Sequence, residues 1–150
     1  MATEYQVVVD WERESEGFSY DEYNRDHLWS FMGGADVSAS AAPEYKGNPA
    51  YVNPEEALVA ALSSCHMLTF LAVAARKGFV IDGYRDEAIG TLDKNGEGKL
   101  AVTRVVLHPR ITFGGNKRPT PEEMKLLHEL AHRGCFIANS VKTEVTVDIK

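Results

Sequence analysis

One run sets the centre of the fold. From Asn53-Pro54-Glu55-Glu56 through Cys65-His66-Met67-Leu68 to Arg76-Lys77-Gly78, the chain is dominated by Ala, Leu and Val and carries no Gly or Pro between Pro54 and Gly78. Asn53 is a preferred N-cap and Pro54 suits the first helical position. Glu55 and Glu56 favour the positive end of the helix dipole, and Gly78 is a C-terminal stop. The pattern predicts a helix over 54–77, roughly 35 Å long. Leu58, Leu62, Cys65, Thr69 and Ala72 form one stripe, and Val59, Ala60, Met67, Phe70 and Leu71 cover the opposite side. A helix apolar nearly all round is buried by neighbours on both sides. That is much cover for a chain of 150 residues, and a second subunit is the expected source of it.

The rest reads as an α+β chain. Tyr5 to Trp11 and Arg25 to Phe31 are strand candidates, β-branched and aromatic. Residues 35–52, rich in Ala, Ser, Pro and Gly, read as a long ordered loop. After the central helix, Tyr84 to Leu92 and Leu100 to Phe113 form a hairpin around Asn95-Gly96. Thr120-Pro121-Glu122-Glu123 opens a second helix with a capping box. Met124, Leu127, Leu130 and Ala131 mark its apolar face, and Gly134 stops it. A short helical turn over 136–140 and a closing strand over 143–149 complete the order β-β-α-β-β-α-β. Strands in blocks around two helices make an α+β fold rather than a doubly wound sheet, in one domain over 1–150.

Composition narrows the function. The apolar fraction of 44% supports a real core. A net charge of −6 with no basic stripe argues against a nucleic-acid partner. The best apolar run, Ala57 to Ala75, carries Ser63, Ser64, His66 and Thr69 and reads as a core helix, so no membrane partner is expected. No basic segment followed by an apolar one opens the chain, so no export signal is expected. There are only two cysteines, Cys65 and Cys135. In the reducing cytoplasm these features imply, a disulfide is usually transient and catalytic.

A thiol on a rigid helix with one possible partner far along the chain suggests thiol redox chemistry. Asn53-Pro54-Glu55-Glu56, then Ser64-Cys65, then a second cysteine after the next helix, and the closing Lys-x-Glu-Val-x-Val strand resemble the OsmC/Ohr family of thiol peroxidases. The resemblance spans essentially the whole chain. It implies an OsmC-like α+β fold, with antiparallel or mixed sheets around a long buried helix, in an intertwined homodimer with active sites at the subunit interface. It also implies reduction of organic hydroperoxides by a cysteine pair, with no cofactor and an external small dithiol or protein thiol as reductant. By the same resemblance Cys65 corresponds to the peroxide-attacking cysteine and Cys135 to the resolving one. Glu55 corresponds to the glutamate that orients an active-site arginine, for which Arg25 is the candidate. Phe136 stands where the family usually has proline.

The chemistry is consistent with that set. Thiolate, not thiol, attacks a peroxide. Burial works against ionisation, and a site about three turns into a helix gains little from its dipole. A fixed cation is then needed, and arginine is the apt one. Its own burial calls for a counter-charge, the expected job of Glu55. Glu55 and Cys65 are roughly 15 Å apart on a straight helix, so a partner subunit crossing antiparallel is expected to bring its own Glu55 close. Aromatics such as Phe70, Phe136 and Tyr45 would favour alkyl or lipid hydroperoxides. His66, about 100° round the helix from Cys65, reads as a packing histidine. Two other readings stand beside this one. Cys65, His128, His132 and Cys135 could form a four-ligand zinc set, or the fold could be a non-enzymatic dimer that binds a small ligand.

Overall fold

A computed structural model describes residues 1–150. The chain forms two compact units, Met1–Ala57 and Leu58–Lys150, and the long helix starts in the first and runs on through the second.

The first unit is a three-stranded antiparallel sheet of β1 (Val7–Asp10), β2 (His27–Phe31) and β3 (Asp36–Ala39), with Val9 opposite Trp29 and Trp29 opposite Val37. The stretch expected to be a long loop is therefore partly regular. β3 lies within it, Pro43–Tyr45 forms a 3₁₀ turn, and Val52 bridges back to Ala39. The small residues that read as loop are suited to the close chain approach around Ser40, which is fully buried and accepts the N–H of Asn48 on its hydroxyl. Between β1 and β2 the chain is stapled by Asn24. Its side chain donates to the Glu12 carbonyl and accepts the Glu14 N–H, and its carbonyl accepts the Trp11 indole N–H.

α1 (Pro54–Arg76) begins as expected. The Asn53 side chain accepts the Glu56 N–H at 2.9 Å, and the Glu56 carboxylate accepts the Asn53 N–H at 3.3 Å. This reciprocal box satisfies two of the free donors at the helix start. By length and composition α1 does reach the measure of a membrane span, with mean hydropathy 1.9 over its best window, against the expectation that no run would. In the fold it is the core helix of the second unit. Leu62, His66, Phe70 and Ala74 recur every four residues as its buried stripe. Other apolar positions, such as Leu68 at 61% exposure, are uncovered in the single chain.

The second unit wraps that stripe. β4 (Val80–Asp86) pairs antiparallel with β7 (Pro109–Gly114). β5 (Ile89–Lys94) pairs antiparallel with β6 (Leu100–Leu107), and β8 (Glu144–Val147) joins β6 in parallel. The expected single hairpin is thus broken into two ladders. The break falls at Glu87-Ala88 and at His108, where the Asp86 carboxylate takes the His108 N–H at 2.6 Å and the Ser63 hydroxyl at 2.5 Å. Asp86 so diverts a backbone donor from the ladder and ties the kink to α1. In the hairpin loop Asn95 acts through its side chain, accepting the N–H groups of Glu97 and Lys99, and Gly98 rather than Gly96 takes the left-handed conformation at φ 77°.

α2 (Pro121–Gly134) has the predicted cap. Thr120 and Glu123 form a complete capping box. Its buried side packs Leu127 and Ala131 with Phe70, Ala74 and Phe79 in one core cluster, while Leu62, Val105 and Leu107 form a second.

Candidate active site

Cys65 lies one residue before the buried stripe of α1 and is half-buried, not sealed. Cys135 caps the C-terminus of α2 and is 1% exposed. Both are free thiols, and they lie close enough to interact side chain to side chain. The fold has brought together two cysteines seventy residues apart in sequence.

Two features of α2 put Cys135 there. Gly134, read from sequence as a simple stop, is the last helical residue, and a Cβ on it would stand 3.1 Å from Thr69 Cγ2. Its bare backbone lets the end of α2 approach α1 one turn beyond Cys65. Cys135 then organises the turn that follows. Its Sγ accepts the Ala138 N–H at 3.4 Å and its carbonyl the Asn139 N–H at 3.1 Å, leading into a 3₁₀ turn at Ala138–Ser140. With Cys135 supplying these acceptors, the turn forms behind Phe136 without a proline to preset it. Burial, with the Cys65 thiol alongside, raises the pKa of Cys135.

Behind Cys65 sits a pair the sequence reading did not join. His66 Nε2 and His128 Nδ1 are 3.0 Å apart, with rings stacked at 5.3 Å and 8°. Both side chains are buried, and burial holds each at a pKa of about 4, so both are neutral near pH 7. For His66 the charges His128 and His132 would carry push the same way, and for His128 nearby Asp86 opposes the shift. His66 is a packing histidine, as expected, though only half satisfied, since its Nδ1 has no partner. His128 is not on the solvent side of α2. It falls in the set Met124, Leu127, His128, Ala131, which has helical spacing, and that spacing was the available signal.

The zinc reading is not supported. His128 is engaged with His66, His132 is exposed, and no three His, Cys, Asp or Glu residues converge as metal ligands. The expected aromatic lining is also revised. Phe70 is fully buried, tilted against His128 in the core, and Phe136 is 80% exposed.

Arg25 and Glu55 belong to the first unit. The Arg25 guanidinium donates to the carbonyls of Tyr20 and Tyr23 and stacks on both rings, 4.7 and 3.7 Å from their centroids. It lies in the wall of an open depression of about 480 Å³ shared with Trp11, Phe18, Tyr23, His27 and Tyr45. No ion pair joins Arg25 to Glu55 within the chain. Glu55 keeps one buried carboxylate oxygen, Oε2, without a partner. In the second unit, no lysine or arginine hydrogen-bonds either sulfur.

A cysteine on the central helix, a second one at the end of α2 and this order of elements coincide with a known protein family, and the sequence profile of OsmC-like proteins matches residues 47–150. The chain belongs to the OsmC-like family. Its fold superposes with a TM-score of 0.95 on an OsmC-like protein of unknown function from Vibrio cholerae, at 47% identity over 99% of this chain and all of that one. An organic hydroperoxide resistance protein OsmC from Legionella pneumophila shares the fold at a TM-score of 0.68 and 20% identity, over 99% of this chain and 100% of that one. An organic hydroperoxide resistance protein from Elizabethkingia anophelis matches at 0.70 and 21%, over the full length of both. No curated protein matches the sequence significantly. The OsmC-like α+β architecture expected from the sequence is the one observed.

Proposed function

We propose that this OsmC-like protein is a cysteine-dependent peroxidase that reduces organic hydroperoxides to alcohols. One observation carries the reading. Cys65 and Cys135, the only cysteines, meet as free thiols, one of them partly open to solvent and the other sealed beside it. The thiolate of Cys65 attacks the distal peroxide oxygen and the O–O bond breaks. The alkoxide leaves and takes a proton as the alcohol, and Cys65 becomes a sulfenic acid. The sulfur of Cys135 attacks that of Cys65, the S–O bond breaks and water departs, leaving a disulfide. A dithiol, small or on a protein, returns both cysteines to thiols by two exchanges. The net change is one hydroperoxide and one dithiol to alcohol, water and oxidised dithiol, with no further cofactor.

The cation is assigned to Arg25 and its counter-charge to Glu55, in a homodimer where subunits share these groups. The unpartnered Glu55 Oε2 and the carboxylate-free guanidinium of Arg25 support that assignment. The reaction requires a reducing compartment such as the cytoplasm. Peroxide consumption by the wild type, Cys65→Ser and Cys135→Ser, with a dithiol and with a monothiol, tests the reading. Activity is expected to vanish in Cys65→Ser. Cys135→Ser should lose dithiol-driven turnover yet still reduce one equivalent of peroxide. Full activity in Cys65→Ser ends the proposal.

A further inference from the structure

We propose that the His66–His128 hydrogen bond is a positioning device that sets the redox poise of the Cys65–Cys135 pair. The proposal rests on reading these cysteines as a redox couple, and not on peroxide being the oxidant.

The argument begins with where the bond sits. His66 immediately follows Cys65 on α1, and His128 precedes Cys135 by two turns on α2. The bond between them is the one direct side-chain hydrogen bond that joins the two helices. At the other end of the same contact, Gly134 approaches Thr69. α2 is therefore seated on α1 at two points beside the thiols, one through the residue that follows Cys65 and the other through the residue that precedes Cys135. Burial makes the bond matter. His66 is 1% and His128 3% exposed, and Phe70 closes one side at 4.6 Å from the His128 ring. A buried polar atom that loses its partner gets no replacement from water, so the two rings hold one arrangement.

The hydrogen count gives the bond a direction. If His128 donated, the remaining proton of His66 would lie on Nδ1, a sealed donor with no acceptor. If His66 Nε2–H donates to His128 Nδ1, only an acceptor is left unpaired, and unpaired buried donors are the rarer of the two. So His66 is the donor and His128 Nδ1 the acceptor. Side chains tied in this way fix the distance between helices and raise the effective concentration of one thiol beside the other. That concentration sets how readily the disulfide forms.

The measurement is the thiol–disulfide equilibrium of the whole protein in glutathione redox buffers. A protein thiolate attacks oxidised glutathione and one glutathione thiol leaves. The second cysteine then attacks the mixed disulfide and expels the other, so the two protein protons end on two glutathiones. Two substitutions of similar size and polarity separate positioning from packing. His128→Asn keeps an acceptor where Nδ1 stood, and His128→Gln carries its polar end one bond further out. The expected result is an equilibrium constant within threefold of wild type for His128→Asn. For His128→Gln it should fall about tenfold, toward the dithiol, or about 30 mV for this two-electron couple. A thermal melt on each variant establishes that it is folded. A folded His128→Gln with wild-type equilibrium overturns the proposal, as does an equal fall in both variants. If His128→Gln does not fold, His66→Gln, which keeps a donor near Nε2, must match wild type while His66→Leu must not. A wild type that forms no intramolecular disulfide also overturns it. Failure of the peroxidase reading registers separately, as a wild type that equilibrates with glutathione but consumes no hydroperoxide.

Discussion

Gly134 is small because Thr69 fills the space beside it. Gly→Ala in a helix ordinarily gains up to about 1 kcal/mol. Here the new methyl would meet Thr69 Cγ2 at 3.1 Å, and overpacking of this kind costs about 1–3 kcal/mol. The expected net effect of Gly134→Ala is a lower melting temperature and slower closure of the Cys65–Cys135 disulfide. Thr69→Ser removes the opposing methyl and keeps the hydroxyl that bonds the Cys65 carbonyl. In that background Gly134→Ala should become neutral or stabilising, and chemical denaturation of the four proteins measures the coupling. If Gly134→Ala costs as much in both backgrounds, the close approach is not what demands glycine. At this scale Cys65 and Cys135 were legible as a pair because there were no other cysteines. The role of Gly134 was not, since nothing along α2 announces a neighbour sixty-five residues away.

At the scale of the element, capping chemistry was readable and helix contact was less so. Asn53 with Glu56, and Thr120 with Glu123, are local boxes encoded within four residues. Asn53→Ala should destabilise by about 1 kcal/mol, a loss visible in denaturant midpoint without a change in slope. The α1–α2 contact depends instead on which face of each helix turns inward. His128 belonged to the apolar face by spacing but was read only as a possible zinc ligand. Its burial with His66 has a pH consequence. Each is held at about 4 in the native protein against 6.5 for a free histidine, so the unfolded state binds more protons between those values. Stability contributed by keeping the pair neutral is present above about pH 6.5 and is lost as pH falls toward 4. The melting temperature should fall over that window. In a His66→Gln, His128→Asn double variant, which cannot charge, that part of the fall should disappear. An unchanged slope there would place the acid sensitivity elsewhere.

For the whole molecule, the block order of strands and helices was enough for the fold class, because it depends on hydrophobic period alone. The split of the hairpin at Asp86 was missed, since one side chain's diversion of a backbone donor leaves no periodic trace. Assembly is the level at which the proposed chemistry is most exposed to test. α1 leaves Leu68 61% exposed, and β1 shows Val7, Val8 and Val9 at 48%, 51% and 63%. Patches of this kind call for cover. Sedimentation should give twice the 16.6 kDa chain mass, and Leu68→Glu should shift the population toward the single chain with loss of peroxidase activity. A fully active monomer would remove the shared site from the proposal.

The parallel pairing of β8 with β6 has a consequence in time. A nascent chain leaves the ribosome N-terminus first, and two parallel strands can join only after the whole segment between them has emerged. The second sulfur is carried in that segment. Over the seventy residues of synthesis that separate Cys65 from Cys135 the protein holds the first sulfur without its companion, and any oxidant met by the growing polypeptide in that interval finds a lone thiol rather than a couple.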